Sequence, residues 1–472
     1  MGGLPAQPFG GIVEAVTDTN ESMTTSATRP LRRILGLGFG LALGFGSTVG
    51  VGILRLPGTV AAALGDRTLI MATWIAGALY ALMGAISVAE LAAMLPEAGG
   101  FRVYARRAFG EGIGFAVGWT DWLVNVGTVA YVAVTAVAFL GVLWPPVAAF
   151  PQLAAVLFVA VFTGIHWAGL RVGSSLTAII SMAIGLLFVI LVVACLSAPS
   201  LPASATGALA APALAHPMTS MAMALALIPA LRAVLTAYDG WYQPIYMAEE
   251  NTDPARTLPR TIIGGALLVV ALYLVINVAL LHVLPLPVLA ASQIPAADAA
   301  RVVLPRGGAE LITVVSLLTV LSLLNNMLLG APRILFGLGR DGLLPGKAAI
   351  VSAGGTPRVA LALTSAMAVV LVLTGTFEQI IALTAVLFLL CYIAAFLAVF
   401  VLRHRLPDLP RPYRALGYPF STAIVLCGSV AFLVAAVAED PRSAAIAGLF
   451  LACCAPAYLW MSRGRRLRAA NP

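Results

Sequence analysis

Two interruptions of apolar stretches carry the groups in this chain that could bind a charged small molecule. The first interruption reads GFGSTVGVGILRLPG, from Gly44 to Gly58. Glycines at positions 46, 50 and 52 would allow the backbone to leave a helix. A helix that resumes after Gly52 would point its free N–H groups and the positive end of its dipole at an anion, and a carboxylate is the natural occupant.

The second interruption reads LTAYDGWYQPIYMAEENTDPARTLPR, from Leu235 to Arg260. Asp239 and Gly240 break an apolar helix there. Carbonyl groups freed in the segment Thr236–Asp239, together with those near Ser47 and Thr48, could accept hydrogen bonds from an ammonium group. One interruption offers donors and the other offers acceptors, so a zwitterionic α-amino acid would fit both.

Two other interpretations of the first glycine run stay open at this point. A dinucleotide-binding turn needs the spacing GxGxxG after a strand, whereas Gly44, Gly46 and Gly50 give GxGxxxG inside a long apolar run. Glycines also allow membrane helices to pack closely against each other. The paired interruption in the second segment favours binding over packing alone.

The composition places both interruptions in a membrane. The 472 residues are 61% hydrophobic and only 10% charged, whereas soluble domains carry about a quarter of their residues as charges. Runs of about 20 apolar residues can cross the hydrocarbon core, and the sequence contains twelve. We expect an all-α integral membrane protein whose spans 1 to 12 lie near 34–63, 69–95, 113–140, 152–168, 174–197, 219–248, 261–284, 309–337, 358–376, 379–402, 416–437 and 442–461.

The basic residues predict the orientation of these spans. With both ends inside, the inner segments hold 21 Lys and Arg residues and the outer segments hold five. Cytoplasmic loops carry the excess of basic residues in membrane proteins, so both termini are expected to be cytoplasmic. Residues 1–30 are predicted to be a disordered cytoplasmic tail, and residues 463–472 a second cytoplasmic tail.

The same distribution excludes several functions. The net charge of +8 is scattered among short loops, so no nucleic-acid partner is expected; the partners are a small-molecule substrate and the lipid bilayer. The five cysteines form no CxxC pair and the four histidines are dispersed, so no metal site and no cofactor are expected. No nucleophile–base pair indicates an enzyme.

Six motifs occur in an order that carries a family resemblance. They are GSTVGVGI in span 1, AELAAMLPEAGGFRVYARRAFGEGIGFAVGW between spans 2 and 3, AYDGW with AEENTDPARTLPR in span 6, NNMLLGAPRILFGLGRDGLLP in span 8, GTPRVAL before span 9 and LPDLPRPYRALGYP after span 10. With them the chain resembles the amino acid–polyamine–organocation permeases, in particular their L-amino-acid-transporter-like and bacterial exchanger branches.

The resemblance implies a leucine-transporter-type fold with discontinuous helices 1 and 6. Spans 1–5 (residues 31–200) and spans 6–10 (residues 215–405) would be two inverted repeats, and spans 11–12 (residues 412–462) would be appended.

The resemblance also implies roles for individual residues. The substrate carboxylate would bind at Gly50, Val51, Gly52 and Ile53. The amine would bind at Ser47, Thr48, Thr236, Ala237 and Asp239. Candidates for gating or coupling are Arg55, Arg232, Trp241, Tyr242 and Asn325. Thr236 departs from the family pattern, because many relatives carry a bulky aromatic gate at this position.

The coupling mode stays open among exchange, proton symport and sodium symport. We align Ile184 with a lysine that some relatives carry in span 5, and that lysine is absent here. Sodium would need oxygen ligands from spans 1 and 8, and we place the span 8 contribution at residues 330–332. Ser47 and Ser181 could still contribute.

The remaining charged residues of the spans are expected to form ion pairs. Glu90 and Asp121 would pair with loop arginines, and Glu249 and Glu250 would form an inner network with Arg256 and Arg260. Arg55 and Arg232 are either snorkelling or salt-bridged arginines, or they form an electropositive outer vestibule for an acidic substrate.

The function expected from these features is exchange of neutral or broad-range α-amino acids by alternating access. Alternatives are a proton-coupled symporter, a transporter of acidic amino acids, and a transporter of organic cations or polyamines. An Arg-rich and Ala-rich chain with short tails favours a bacterial inner membrane. A homodimer and a partner subunit both remain open.

Overall fold

The structure, a computed structural model, describes residues 30–199, 220–304, 306–375 and 377–470. The predicted N-terminal tail lies outside these residues except for Pro30. The α-helices are α1 (Leu37–Thr48), α2 (Val51–Leu64), α3 (Arg67–Met94), α4 (Phe101–Phe109), α5 (Glu111–Leu143), α6 (Pro151–Ala168), α7 (Leu170–Ser197), α8 (Ser220–Ala237), α9 (Pro254–Val283), α10 (Leu286–Ala291), α11 (Pro295–Val303), α12 (Gly308–Arg340), α13 (Arg358–Thr374), α14 (Phe377–Arg405), α15 (Phe420–Glu439) and α16 (Pro441–Ala470). Short 3-10 helices span Pro145–Ala149, Gln243–Glu250 and Gly346–Ala349.

Each of the twelve predicted spans coincides with helix. Within the described ranges, nine helices are long and apolar enough to cross a membrane, and α1 with α2 form a bent pair that makes a tenth. Two apolar helices are shorter: α13, and the segment Ala226–Ala237 of α8. The all-α membrane architecture is therefore confirmed, while the number of crossings and the inverted repeat stay predictions.

Span 1 is interrupted at Gly50, one of the three glycines that the sequence indicated. Helix α1 ends at Thr48 and α2 begins at Val51, with a bend of 45° between their axes. The backbone is extended at Val49 and Gly50, so the helix resumes before Gly52 and not after it. Gly46 lies inside α1, where a Cβ atom would come within 2.3 Å of the Ser181 hydroxyl. Close packing is thus the role of that glycine.

Span 6 is interrupted at the same level as span 1. Helix α8 ends at Ala237, the backbone turns through Gly240 with φ of +120°, and a 3-10 helix follows. A Cβ atom on Gly240 would lie 2.5 Å from the carbonyl oxygen of Ser47 and 2.9 Å from the Cα of Thr48. The two interruptions are therefore in direct backbone contact, which only glycine permits at this position.

Several short helices were not predicted, because long apolar runs indicate only helices that can cross a membrane. Helix α4 lies between spans 2 and 3 and has nine residues; its buried residues include Phe101, Val103 and Tyr104. Helices α10 and α11 connect spans 7 and 8. Span 7 starts at Pro254 instead of 261, since proline is well tolerated in the first turn of a helix. The predicted C-terminal tail is helical from 463 to 470, as the end of α16.

The ion pairs at the predicted inner end differ from those expected. Glu249 pairs with Arg340 at 2.8 Å, and the fully buried Glu250 pairs with Arg333 at 2.9 Å. The prediction that Glu249 and Glu250 pair with Arg256 and Arg260 is therefore wrong. The reason is geometric: the 3-10 helix Gln243–Glu250 places both carboxylates against α12.

The other two predictions of ion pairing had different outcomes. Glu90 pairs with Arg403 at 2.5 Å and with Arg411 at 3.6 Å, which confirms its pairing with arginines near the loop. The prediction that Asp121 pairs with a loop arginine is wrong, because its carboxylate accepts hydrogen bonds from the Tyr246 hydroxyl at 2.7 Å and from the Asn125 side-chain amide at 3.1 Å. Asp121 thus links α5 to the 3-10 helix of span 6 through neutral donors.

Replacing Gly240 with alanine should destabilise the fold strongly. The new methyl group would clash with the Ser47 carbonyl, and the backbone would also be strained at positive φ. Gly110→Ala is the matched control, because Gly110 has φ of +95° but no atom within 4 Å of the added Cβ. The thermal unfolding midpoint in detergent should fall several degrees further for Gly240→Ala. Equal midpoints would show that the two interruptions do not depend on this contact.

Candidate functional site

The N-terminus of α2 presents backbone donors to an open cavity. The first N–H groups of a helix have no intrahelical partner, and the helix cap at Gly50 supplies no side-chain hydrogen bond to them. Val51 and Gly52 line a cavity of about 490 Å³, together with Arg55, Tyr131 and Ser292 among others. We call this the α2 cavity. Its floor has the partial positive charge that favours a carboxylate.

The other predicted carboxylate residues are placed differently. The Ile53 side chain is fully buried in the core, and Gly50 is the cap residue that precedes the first turn. Neither lines the α2 cavity. Val51 and Gly52 are therefore the two predicted positions that a ligand in this cavity could reach.

The C-terminus of α8 lies beside the N-terminus of α2. A Cβ atom built on Gly52 would be 3.5 Å from the Cα of Ala237, the last residue of α8. The last carbonyl groups of a helix carry a partial negative charge, as the first N–H groups carry a partial positive one. The structure therefore brings the two predicted halves of the site together at this contact.

Two predicted amine-binding residues are used for internal contacts. The Thr48 carbonyl accepts a hydrogen bond from the Tyr273 hydroxyl at 2.9 Å, and the Ser47 hydroxyl accepts one from Asn326 at 3.0 Å. Both residues are buried. Their carbonyl and hydroxyl groups stabilise the end of α1 in this conformation of the protein.

Four of the predicted residues of span 6 line a second cavity of about 550 Å³. This cavity lies between α3, α8 with the turn that follows it, α14 and α15, and we call it the α8 cavity. Its lining includes Arg232, Thr236, Asp239 and Trp241. Predicted carboxylate residues (Val51 and Gly52) and predicted amine residues (Thr236 and Asp239) thus line two different cavities.

Aromatic residues of α14 complete the α8 cavity and were missed in the sequence. The Tyr392 hydroxyl donates to the Asp239 carboxylate at 2.5 Å. Trp241 stacks on Tyr392 with centroids 5.8 Å apart, and Tyr392 stacks on Phe396 at 5.7 Å. Phe388, Tyr392 and Phe396 follow each other at a spacing of four, which places them on one face of a helix. That spacing was the signal available in the sequence.

The gating and coupling candidates are spread over the protein. Arg232 forms an ion pair with Glu439, whereas Arg55 lines the α2 cavity and has no ion pair among the described residues. A shared vestibule of both arginines is therefore wrong. Tyr242 packs on Phe101 and lines neither cavity.

Asn325 is also remote from both cavities. Its side chain is fully buried and donates to the Thr177 hydroxyl at 2.8 Å and to the Gly173 carbonyl at 3.3 Å. It ties α12 to α7, so the structure gives it a packing contact instead of a position in a gate.

The part of span 8 that faces span 1 is not the predicted turn at 330–332. Gly330 lies against Tyr246, whereas Ser322 and Asn326 lie against Gly46. Ser181 donates to the Ala42 carbonyl at 2.8 Å. No cluster of three His, Cys, Asp or Glu residues suited to a metal ion occurs in the part of the chain that the structure describes.

Comparison with known proteins identifies similar chains. A family model described as amino acid permease matches residues 39–458. The serine/threonine exchanger SteT of Bacillus subtilis is 27% identical over 441 residues, which cover 92% of this chain and 98% of the exchanger. The branched-chain amino acid permease BcaP of the same organism is 26% identical, with 85% and 88% covered. The b(0,+)-type amino acid transporter 1 of Mus musculus is 25% identical, with 91% and 86% covered.

Replacing Gly52 with alanine should weaken ligand binding without weakening the fold. The added methyl group would meet only ordinary contacts, 3.4 Å from Leu56 and 3.5 Å from Ala237, and alanine favours helix by about 1 kcal/mol over glycine. However, the methyl group would fill the space between the two helix ends. Binding of a radiolabelled neutral amino acid to purified protein should fall at least tenfold.

Gly164→Ala is the matched control for this substitution. Gly164 lies in α6 with no atom within 4 Å of the added Cβ. The affinity of the Gly164→Ala protein for the amino acid should therefore equal that of the wild-type protein. Equal affinities of the Gly52→Ala and wild-type proteins would contradict this location of the site.

Proposed function

The chain belongs to the amino acid permease family, and from that premise we propose that it is a secondary transporter that exchanges neutral or broad-range α-amino acids. The family and its relatives named above are transporters, which confirms the expectation that the chain is not an enzyme. The family resemblance predicted from the motifs is also confirmed.

The contact between the ends of α2 and α8 is the observation that carries this proposal. Helix ends of opposite partial charge meet at Gly52 and Ala237, in a bundle that contains nine helices long and apolar enough to cross a membrane within the described residues. An α-carboxylate at the free amides of Val51 and Gly52 would place the α-ammonium group within reach of the last carbonyls of α8. Irregular backbone is tolerated at membrane depth where it lines a cavity or meets a ligand.

Relatives support the substrate class and the exchange mode. One relative is named as an exchanger of serine and threonine, a second as a branched-chain amino acid permease. All of these substrates share the α-amino and α-carboxylate groups. The α2 cavity could then hold the variable side chain.

Ion pairs at the opposite end from α10 and α11 fit a closed inner gate. Asp341 at the end of α12 binds Arg102 at 2.5 Å and Arg106 at 2.8 Å, both on α4. Glu249 binds Arg340 close by. In the proposed alternating access these pairs separate when the inner side opens, while both termini stay cytoplasmic in a bacterial inner membrane. The two inverted repeats would rock against each other around the helix interruptions.

A second candidate, transport of acidic amino acids, rests on Arg55. This residue lies one helical turn after Val51, and both line the α2 cavity. Its guanidinium group could bind a second carboxylate of a ligand held at the α2 amides.

Uptake into proteoliposomes tests both candidates. We expect labelled serine, threonine or branched-chain amino acids to enter only when unlabelled amino acid is present inside, with no dependence on an imposed pH gradient. Accumulation in empty vesicles under an inward proton gradient would replace exchange with proton symport. An acidic substrate would be established if the wild-type protein takes up glutamate and Arg55→Gln abolishes this uptake. Gly164→Ala is the control and should leave glutamate uptake unchanged. Absence of any amino acid uptake would contradict the proposal.

A further inference from the structure

The α8 cavity has the features of a ligand site that the transport of amino acids does not require. Its volume of about 550 Å³ lies in the range of small-molecule sites, and it shares no lining residue with the α2 cavity. A ligand in one cavity would therefore contact a different set of residues from a ligand in the other.

Charge in the α8 cavity favours a cation. Its charged lining residues are one arginine and three carboxylates, and Arg232 is already neutralised by its ion pair with Glu439. Asp239 and Asp440 remain, and neither forms an ion pair with a basic residue in the described chain. At the mouth, hydrogen bonds from Ser443 hold the pKa of the Asp440 carboxyl below its ordinary value, so this group is ionised at neutral pH.

The walls of the α8 cavity favour an apolar body attached to that cation. Trp241, Tyr392 and Phe396 form a continuous row of stacked rings beside the Asp239 carboxylate. Tyr80 on α3 lines the same cavity. Aromatic rings around a carboxylate are the combination that binds ammonium groups with apolar substituents. A lipid acyl chain would fill the apolar walls but would leave the carboxylate without a partner of opposite charge.

We propose that the α8 cavity binds an organic ammonium ion with an apolar body, separately from the amino acid, and that the bound cation slows transport. The effect on transport rests on the proposed function, because the turn after α8 must move during alternating access. A ligand held between α8, α14, α3 and α15 would keep these helices in the arrangement described here.

Calorimetric titration of the purified full-length protein with benzyltrimethylammonium tests the site. We expect saturable binding of this cation and no binding of benzylsulfonate, which has a similar shape and the opposite charge. Ala436→Phe should weaken binding of the cation at least tenfold, because Ala436 lines the α8 cavity. Ala438→Phe is the matched control, since Ala438 is exposed on the same helix and lines neither cavity.

A second variant is needed because Ala436→Phe would also lose binding if the larger side chain prevented folding. Asp239→Asn preserves the size of the side chain and removes its charge, so it should also weaken binding of the cation at least tenfold. Equal binding of the sulfonate, or unchanged affinity in both variants, would overturn the cation site. In that case an apolar occupant such as a lipid chain would be indicated.

Transport kinetics separate this site from the amino acid site. Benzyltrimethylammonium outside proteoliposomes should lower the maximal uptake rate of the amino acid and leave its KM unchanged. An increase in KM alone would overturn the claim of a separate site. If no amino acid is taken up at all, the proposed function fails, and the calorimetric result still decides whether the cation binds.

Discussion

Two helices interrupted at the same depth leave backbone N–H and C=O groups without intrahelical partners, and the rest of this structure depends on how those groups are satisfied. In a membrane an unpaired backbone group costs several kcal/mol. Protein groups satisfy those at the end of α1, where Tyr273 binds the Thr48 carbonyl. The first amides of α2 have no side-chain cap and face a cavity instead. These are the groups left for a ligand, which connects the folding problem of the broken helices directly to substrate binding.

Neighbouring helices hold the interruptions in place through buried polar contacts. Asn326 on α12 donates to the Ser47 hydroxyl and accepts from Thr177 on α7. On the other side, Asp121 on α5 accepts from Tyr246 of the 3-10 helix in span 6. The contacts with Ser47 and with Tyr246 each join a continuous helix to an interrupted one. Buried polar networks rigidify a core, so the continuous helices form a frame that positions the two broken spans.

Long-range patterns in the sequence predicted the architecture, and local chemistry predicted the interruptions. Hydropathy located every long helix, and Gly50 and Gly240 marked both breaks. The partners of charged residues were predicted less well, because ion pairing depends on how helices face each other: Glu249 and Glu250 meet α12 and not the adjacent turn. The placement of the predicted binding residues in two cavities was also not predictable, since it depends on how the two interruptions pack, as in the close approach of Gly240 to Ser47.

The central claim is that opposite helix ends at Gly52 and Ala237 bind the two charges of one α-amino acid. The most direct measurement compares the affinities of purified protein for L-serine, L-serine methyl ester and ethanolamine. L-serine carries both charges. The methyl ester keeps the ammonium group but has no carboxylate, and ethanolamine keeps the ammonium group and lacks the carboxyl carbon altogether. The account predicts binding of L-serine alone, because each helix end needs its own partner charge. Comparable binding of the ester or of ethanolamine would contradict it, since the amides of α2 would then have no part in recognition.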